Sequence, residues 1–206
     1  MLEHPGSGSD VNINRGGRNL YLNVGIFKMT RYCAFFASIN VGSNRLTMAD
    51  LRYAFEREEF ENVETVVASG NVLFDFDERP TEGLEDLFAH MMMERFDLRT
   101  FAAVRNADEV RSAVEDNPFT GIGQDHYVHT LFLEREAEQA AFDKLVADHS
   151  TRGPEKIARG PRSLYIDYVD GAGSSKLTNA FIERRLGCRG TARNVRSLAR
   201  IHAKMK

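Results

Sequence analysis

The stretch of this sequence best equipped for chemistry is residues 171–176, Gly-Ala-Gly-Ser-Ser-Lys. Its glycines let a ligand approach the backbone closely, the segment is read as leading into a helix whose first N–H groups are unpaired, and Lys176 adds a positive charge. That combination fits an anion, with Ser175 and Lys176 as its contacts; the competing reading is an ordinary turn in which Ser174 or Ser175 caps the helix. Arg193 and Asn194 precede a second helix, on which Arg196 and Arg200, four residues apart, share one face and can grip phosphates. Residues 176–206 hold nine Lys or Arg against the single acid Glu183, a local charge of +8 that leaves −11 for the rest of a chain with net charge −3. Such asymmetry marks either a polyanion-binding surface or a solvated helical end whose cations complement the helix dipole.

A second polar group is made of Asn40, within the loop Asn40, Val41, Gly42, Ser43, Asn44, Arg45, and Asn71. Asn40 ends one strand and Asn71 opens another; antiparallel pairing brings such positions together, either as a joint site or as residues that satisfy turn geometry. Signatures of established chemistries are missing. The sequence has no GxxxxGK[ST] loop, no GxSxG elbow, no HExxH helix and no calcium loop. His126 and His129 are three apart on an expected strand, so they point to opposite faces and do not chelate one metal. Cys33 and Cys188 form no CxxC pair, which excludes a redox or zinc knuckle and makes a disulfide improbable. The segment Asn71-Val72-Leu73-Phe74-Asp75-Phe76 lacks the basic-Gly-aromatic pattern of an RNA-recognition strand. No metal and no cofactor are expected.

The elements that must position these residues follow from hydrophobic period. Residues 31–39 form an apolar strand; Thr47 with Asp50 makes a helix start, and Met48, Leu51, Ala54 and Phe55 fall on one face. Two strands at 63–68 and 71–76 flank the Ser69-Gly70 turn. Thr81 caps a helix reaching Phe96, and 100–104 is a fourth strand. The order β-α-β-β-α-β is the ferredoxin-like arrangement, a four-stranded antiparallel sheet covered by two helices. A helix to about residue 115 then opens a second unit. Its expected strands are 127–133, 155–158 and 163–168 and its helices 137–149, 176–186 and 195–204. The fold class is α+β, with a disordered leader over 1–28, a ferredoxin-like subdomain over 29–105 and a second α+β subdomain over 106–206.

Composition agrees. At 42% apolar residues the 206-residue chain can bury a core, and no apolar run approaches the roughly 20 residues of a membrane span. The first 28 residues carry no secretory pattern, so the expected compartment is the cytoplasm.

Five short strings stand in order along the chain: Ile39-Asn40-Val41-Gly42, Ser69-Gly70-Asn71-Val72, Asn117-Pro118-Phe119, Ser175-Lys176-Leu177-Thr178-Asn179, and Glu183 with Leu186-Gly187 and Thr191-Ala192-Arg193-Asn194. Together they resemble the bacterial family of unknown function numbered 1697, over nearly everything from Met29 onward. The resemblance implies two α+β subdomains, one ferredoxin-like, and no established activity. Ala37-Ser38 stands where the family tends to have Arg-Gly, and Val195 where it has an aromatic. The reading that joins these observations is a binding protein whose inter-subdomain cleft takes a phosphate-bearing ligand or nucleic acid through Ser175, Lys176, Arg193 and Asn194, with Asn40 and Asn71. The alternatives are a small-molecule enzyme using Asn40, Ser69 and Lys176, and a structural module in which these groups bond internally.

Overall fold

The computed structural model describes residues 10–15, 18–23, 28–37, 39, 46–66 and 70–206. Within the segment expected to be a disordered leader, β1 (Asp10–Arg15) and β2 (Arg18–Asn23) pair as an antiparallel ladder.

The first unit runs β3 (Met29–Phe36), α1 (Met48–Glu56), β4 (Glu61–Thr65), β5 (Asn71–Asp77), α2 (Thr81–Phe96), β6 (Ala102–Asn106). Its sheet has the order β4-β5-β3-β6, antiparallel throughout, which is the expected ferredoxin-like topology. Thr47 caps α1 by a reciprocal box: its hydroxyl accepts from Asp50 N at 3.1 Å, and Asp50 Oδ2 accepts from Thr47 N at 3.3 Å. The start of α2 differs from expectation. Pro80 takes the cap position without a side-chain bond, and Thr81 is the first helical residue. Its hydroxyl instead accepts from Arg162 at 3.1 Å, a long-range partner that local sequence does not announce.

The strand β3 is apolar on both faces for a reason. Tyr32, Ala34 and Phe36 pack with Phe55, Phe74 and Phe88 under α1 and α2, while Cys33 and Phe35 look the other way into a second core. That second core is closed by α3 (Ala107–Glu115) and α6 (Val195–Ala203), which contribute Val110, Ala113, Leu198 and Ile201.

Between those two helices lies β7 (Val128–Leu133), α4 (Gln139–His149), β8 (Lys156–Gly160), β9 (Ser163–Asp167), α5 (Asn179–Leu186), β10 (Gly190–Asn194). The sheet order is β10-β7-β9-β8. Numbered within each unit, both sheets read 4-1-3-2, so the second unit repeats the ferredoxin-like topology of the first, and each is followed by one helix. The strand β10 is unexpected from the sequence, because Gly-Thr-Ala-Arg-Asn carries too little apolar pattern to announce a strand. Leu131, Leu133, Leu164 and Ile166 face α4 and α5, leaving Phe132 to stack on Phe35 of the first sheet, ring centroids 4.6 Å apart. The two units are thus joined by a shared core. No helix among the described residues is long and apolar enough to cross a membrane.

Candidate functional site

Three places gather chemically capable side chains. The first is the seam between the sheets. Arg193, on the β10 edge, is only 9% exposed. Its Nε donates to Asn71 Oδ1 at 2.5 Å, Nη1 to Thr191 Oγ1 at 2.7 Å and Ala192 O at 2.9 Å, and Nη2 to Phe36 O at 2.9 Å and Gly70 O at 3.4 Å. Asn71, fully buried, donates to Val66 O at 3.0 Å. Burial lowers the Arg193 pKa to about 10, so the guanidinium stays charged at neutral pH. Two residues expected in a binding site therefore meet, but across the seam and with their polar atoms engaged in the protein. Asn194 is the N-cap of α6, its Oδ1 accepting from Ser197 N at 2.8 Å. Asn40 and Ser69 lie outside the described residues.

The second place is the loop 171–176. The helix it was expected to open starts later: α5 begins at Asn179 with Thr178 as N-cap, whose hydroxyl accepts from Phe181 N at 3.2 Å. Neither Ser174 nor Ser175 caps it, and Lys176 is exposed ahead of the helix. The delay has a packing cause, because Leu177 is 1% exposed in the core of the second unit and must be seated before the chain turns into α5. Gly171 has φ +100°, and a side chain there would press on the Tyr127 ring at 3.1 Å, so both conformation and space ask for glycine.

Ser175 accepts from Leu177 N at 2.9 Å and donates to Glu155 Oε1. A carboxylate of the protein thus stands where an external anion was expected. The Glu155 side chain, 4% exposed, lies beside His149, whose Nε2 is 3.0 Å from Glu155 Oε2 but off the line of a hydrogen bond. Burial alone would raise the Glu155 pKa; the Ser175 hydroxyl, its own backbone N–H and His149 outweigh that and hold it below the ordinary value. The depression beside Lys176, about 180 Å³, is bordered by Arg152, Glu155 and Asp170, charges of both signs. It also stands apart from the seam. Arg193 is on the β10 edge and Glu155 precedes the β8 edge of the same sheet, three strand spacings or roughly 14 Å away.

The third place was not singled out by sequence. A groove of about 260 Å³ runs between α3 and the face of the second sheet that α4 and α5 leave open. Its floor is Phe132 and Tyr165 of the sheet, faced by Ala113 of α3; Ser163 opens β9, Arg162 stands in the turn before it, Asp108 is in α3 and Asp116 is that helix's C-cap. Gly160 keeps the floor low, since a Cβ there would sit 2.5 Å from the Tyr165 ring. At the inner end Arg105, 3% exposed, donates to Glu85 Oε1 at 2.9 Å, Val104 O at 2.7 Å and Arg162 O at 3.2 Å. Arg162 in turn donates to Glu85 Oε2 at 2.5 Å and Glu82 Oε1 at 3.0 Å. Glu85 is therefore held between two guanidiniums, one from each unit. Burial lowers the Arg105 pKa, with the Arg162 charge adding to it against Glu85; burial raises that of Glu85 against its N–H and arginine partners. One signal in the sequence marks this place, an arginine inside the apolar run Ala-Ala-Val-Arg-Asn; the structure adds Arg162 in a tight turn at φ 42°.

His129 is on β7, whereas His126 precedes that strand; burial lowers the His129 pKa, opposed by its 3.0 Å contact with Tyr127 O. Cys33 and Cys188 are both buried and unbridged. No group of three His, Cys, Asp or Glu among the described residues is placed to hold a metal.

The fold is shared with a solved structure, described as the structure of conserved bacterial protein SP0830 from Streptococcus pneumoniae. It superposes with a TM-score of 0.64 at 20% identity, covering 87% of this chain and 100% of that one. At that identity the likeness concerns the fold alone. No curated protein matches the sequence. The profile of one family matches residues 29–165, the whole first unit and the second as far as β9. The chain belongs to that family, described as Protein of unknown function (DUF1697).

Proposed function

We propose that this protein binds a small organic molecule in the groove between α3 and the open face of the second sheet. What carries the reading is the character of that groove: an apolar, partly aromatic floor with a few polar groups around it, drawn from both units. Its volume of about 260 Å³ lies just under the range of roughly 300–1,000 Å³ usual for drug-sized ligands, which points to a compact molecule. Screening a fragment collection by ligand-observed NMR, with Ser112→Trp as the blocked control, tests it. Ser112 lines the groove and is only partly buried, so an indole there fills space without opening the core. Binding that Ser112→Trp abolishes supports the site; fragments that bind equally well to the variant remove it.

A phosphate-bearing ligand or nucleic acid has one observation in its favour. Within residues 176–206, Arg185, Arg189 and Lys204 pair with Asp148, Glu134 and Glu64. Lys176, Arg184, Arg196 and Arg200 are exposed and make no ion pair among the described residues, and Arg196 and Arg200 lie on the outer side of α6. Affinity for a short RNA or DNA measured against salt decides it: a contact surface of this kind gives a steep negative slope, and an undetectable or salt-insensitive association removes the reading.

A further inference from the structure

The groove's floor decides only that the bound molecule has an apolar body, and its rim decides the sign of its charge. The two guanidiniums that border it are already occupied. Arg105 is bonded to Glu85 and to backbone carbonyls, and Arg162 to Glu82, Glu85 and Thr81. Their charge is compensated from behind, within the seam between the units. The α3 side of the groove carries three carboxylates in different circumstances. Glu109 closes the capping box of its own helix, accepting from Asn106 N at 2.8 Å, and Asp108 pairs with Arg111 at 3.2 Å. Asp116 is exposed and makes no ion pair among the described residues.

Position makes Asp116 more unusual. It is the C-cap of α3, where the helix dipole presents its negative end, and the last turn of α3 holds no basic residue. A carboxylate there works against the helix that carries it, and no ion-pair partner among the described residues offsets the cost. Its field reaches the groove floor: burial first, and then the Asp116 charge, push the Tyr165 phenol above its ordinary pKa. Residues that break a local rule without an internal compensation are where function is expected.

From these observations we infer that the groove selects a small organic cation, an amine or ammonium group on an apolar body, with Asp116 as its counter-charge and Phe132 and Tyr165 as its floor. This rests on the groove reading above. An anionic molecule of the same shape would meet Asp108, Glu109 and Asp116 together and find no uncommitted guanidinium facing them.

Three probes of one shape separate the sign of charge from the shape of the site: phenethylamine, 2-phenylethanol and 3-phenylpropionate, titrated by NMR into the full chain. Phenethylamine is expected to bind about ten-fold or more tightly than 3-phenylpropionate, the size of effect carried by a charge-assisted hydrogen bond. Asp116→Asn, an exposed change that leaves the core untouched, is expected to erase that preference while 2-phenylethanol binds as before. Equal binding of all three probes, or a preference that survives Asp116→Asn, overturns the cation inference and leaves the groove reading standing. Binding by none of them, together with fragments indifferent to Ser112→Trp, overturns both.

Discussion

Glu85 holds two arginines from different units, and the consequences of losing it follow from where each partner sits. Arg105 is almost wholly buried, and Glu85 retains 11% side-chain exposure. Removing one member of such a set leaves a buried cation with no counter-charge, a loss of about 3–5 kcal/mol in comparable buried pairs. Arg105 keeps its bonds to carbonyl oxygens, so Glu85→Gln is expected near the lower end, about 3 kcal/mol, seen as a lower urea midpoint at unchanged slope. A loss under about 1 kcal/mol would class the set with solvent-exposed pairs instead. Arg193 teaches the complementary lesson about legibility. The sequence marks it and Asn71 as capable of chemistry, and the structure does bring them together at 2.5 Å. What the sequence does not carry is burial: Thr-Ala-Arg-Asn reads alike on a free surface and at a seam, because burial here depends on β10 pairing with a strand some 60 residues earlier, as Arg193 does with Thr130.

At the scale of elements, the start of α1 was legible because its capping chemistry is local, whereas the equally local cap of α5, Thr178, was passed over for residue 176. Thr47 with Asp50 and Asn106 with Glu109 each form a reciprocal box between residues three apart. Starts failed where a distant contact decided them: Thr81 is taken by Arg162, and Ser175 by Glu155. The first sheet was readable because β3, β5 and β6 are strongly apolar, whereas the repeat of its topology in the second unit was hidden by the weak pattern of β10. The two capping assignments have separable outcomes. Thr178→Ala and Asn194→Ala are each expected to cost about 1 kcal/mol in chemical unfolding, the usual loss on removing an N-cap oxygen. Ser175→Ala is expected to leave the end of α5 unchanged, as judged by amide protection at Phe181, because its hydroxyl serves Glu155 and Leu177 N instead. Loss of Phe181 protection in Ser175→Ala would return the cap to Ser175.

Over the whole molecule the governing fact is that, besides a core inside each unit, the two units share a third one between them. The first sheet buries Cys33, Phe35, Leu73 and Ala103 against α3 and α6, and α6 follows the last strand of the second unit. Leu198 and Ile201 of α6, both fully buried, therefore belong to the packing of a sheet that ends at Asn106. Two units sharing one core are expected to unfold together. Leu198→Ala provides the test. Truncating a buried leucine costs about 2–5 kcal/mol. If the core is common, amide exchange monitored at β3 and β5 in the first sheet and at β7 and β9 in the second should accelerate by matching factors. Independent units would instead show unchanged protection at β7 and β9, or two separated urea transitions. The same coupling bears on the groove, since Phe132 both forms its floor and stacks on Phe35; Leu198→Ala, lying in that shared core, should weaken groove ligands without touching one.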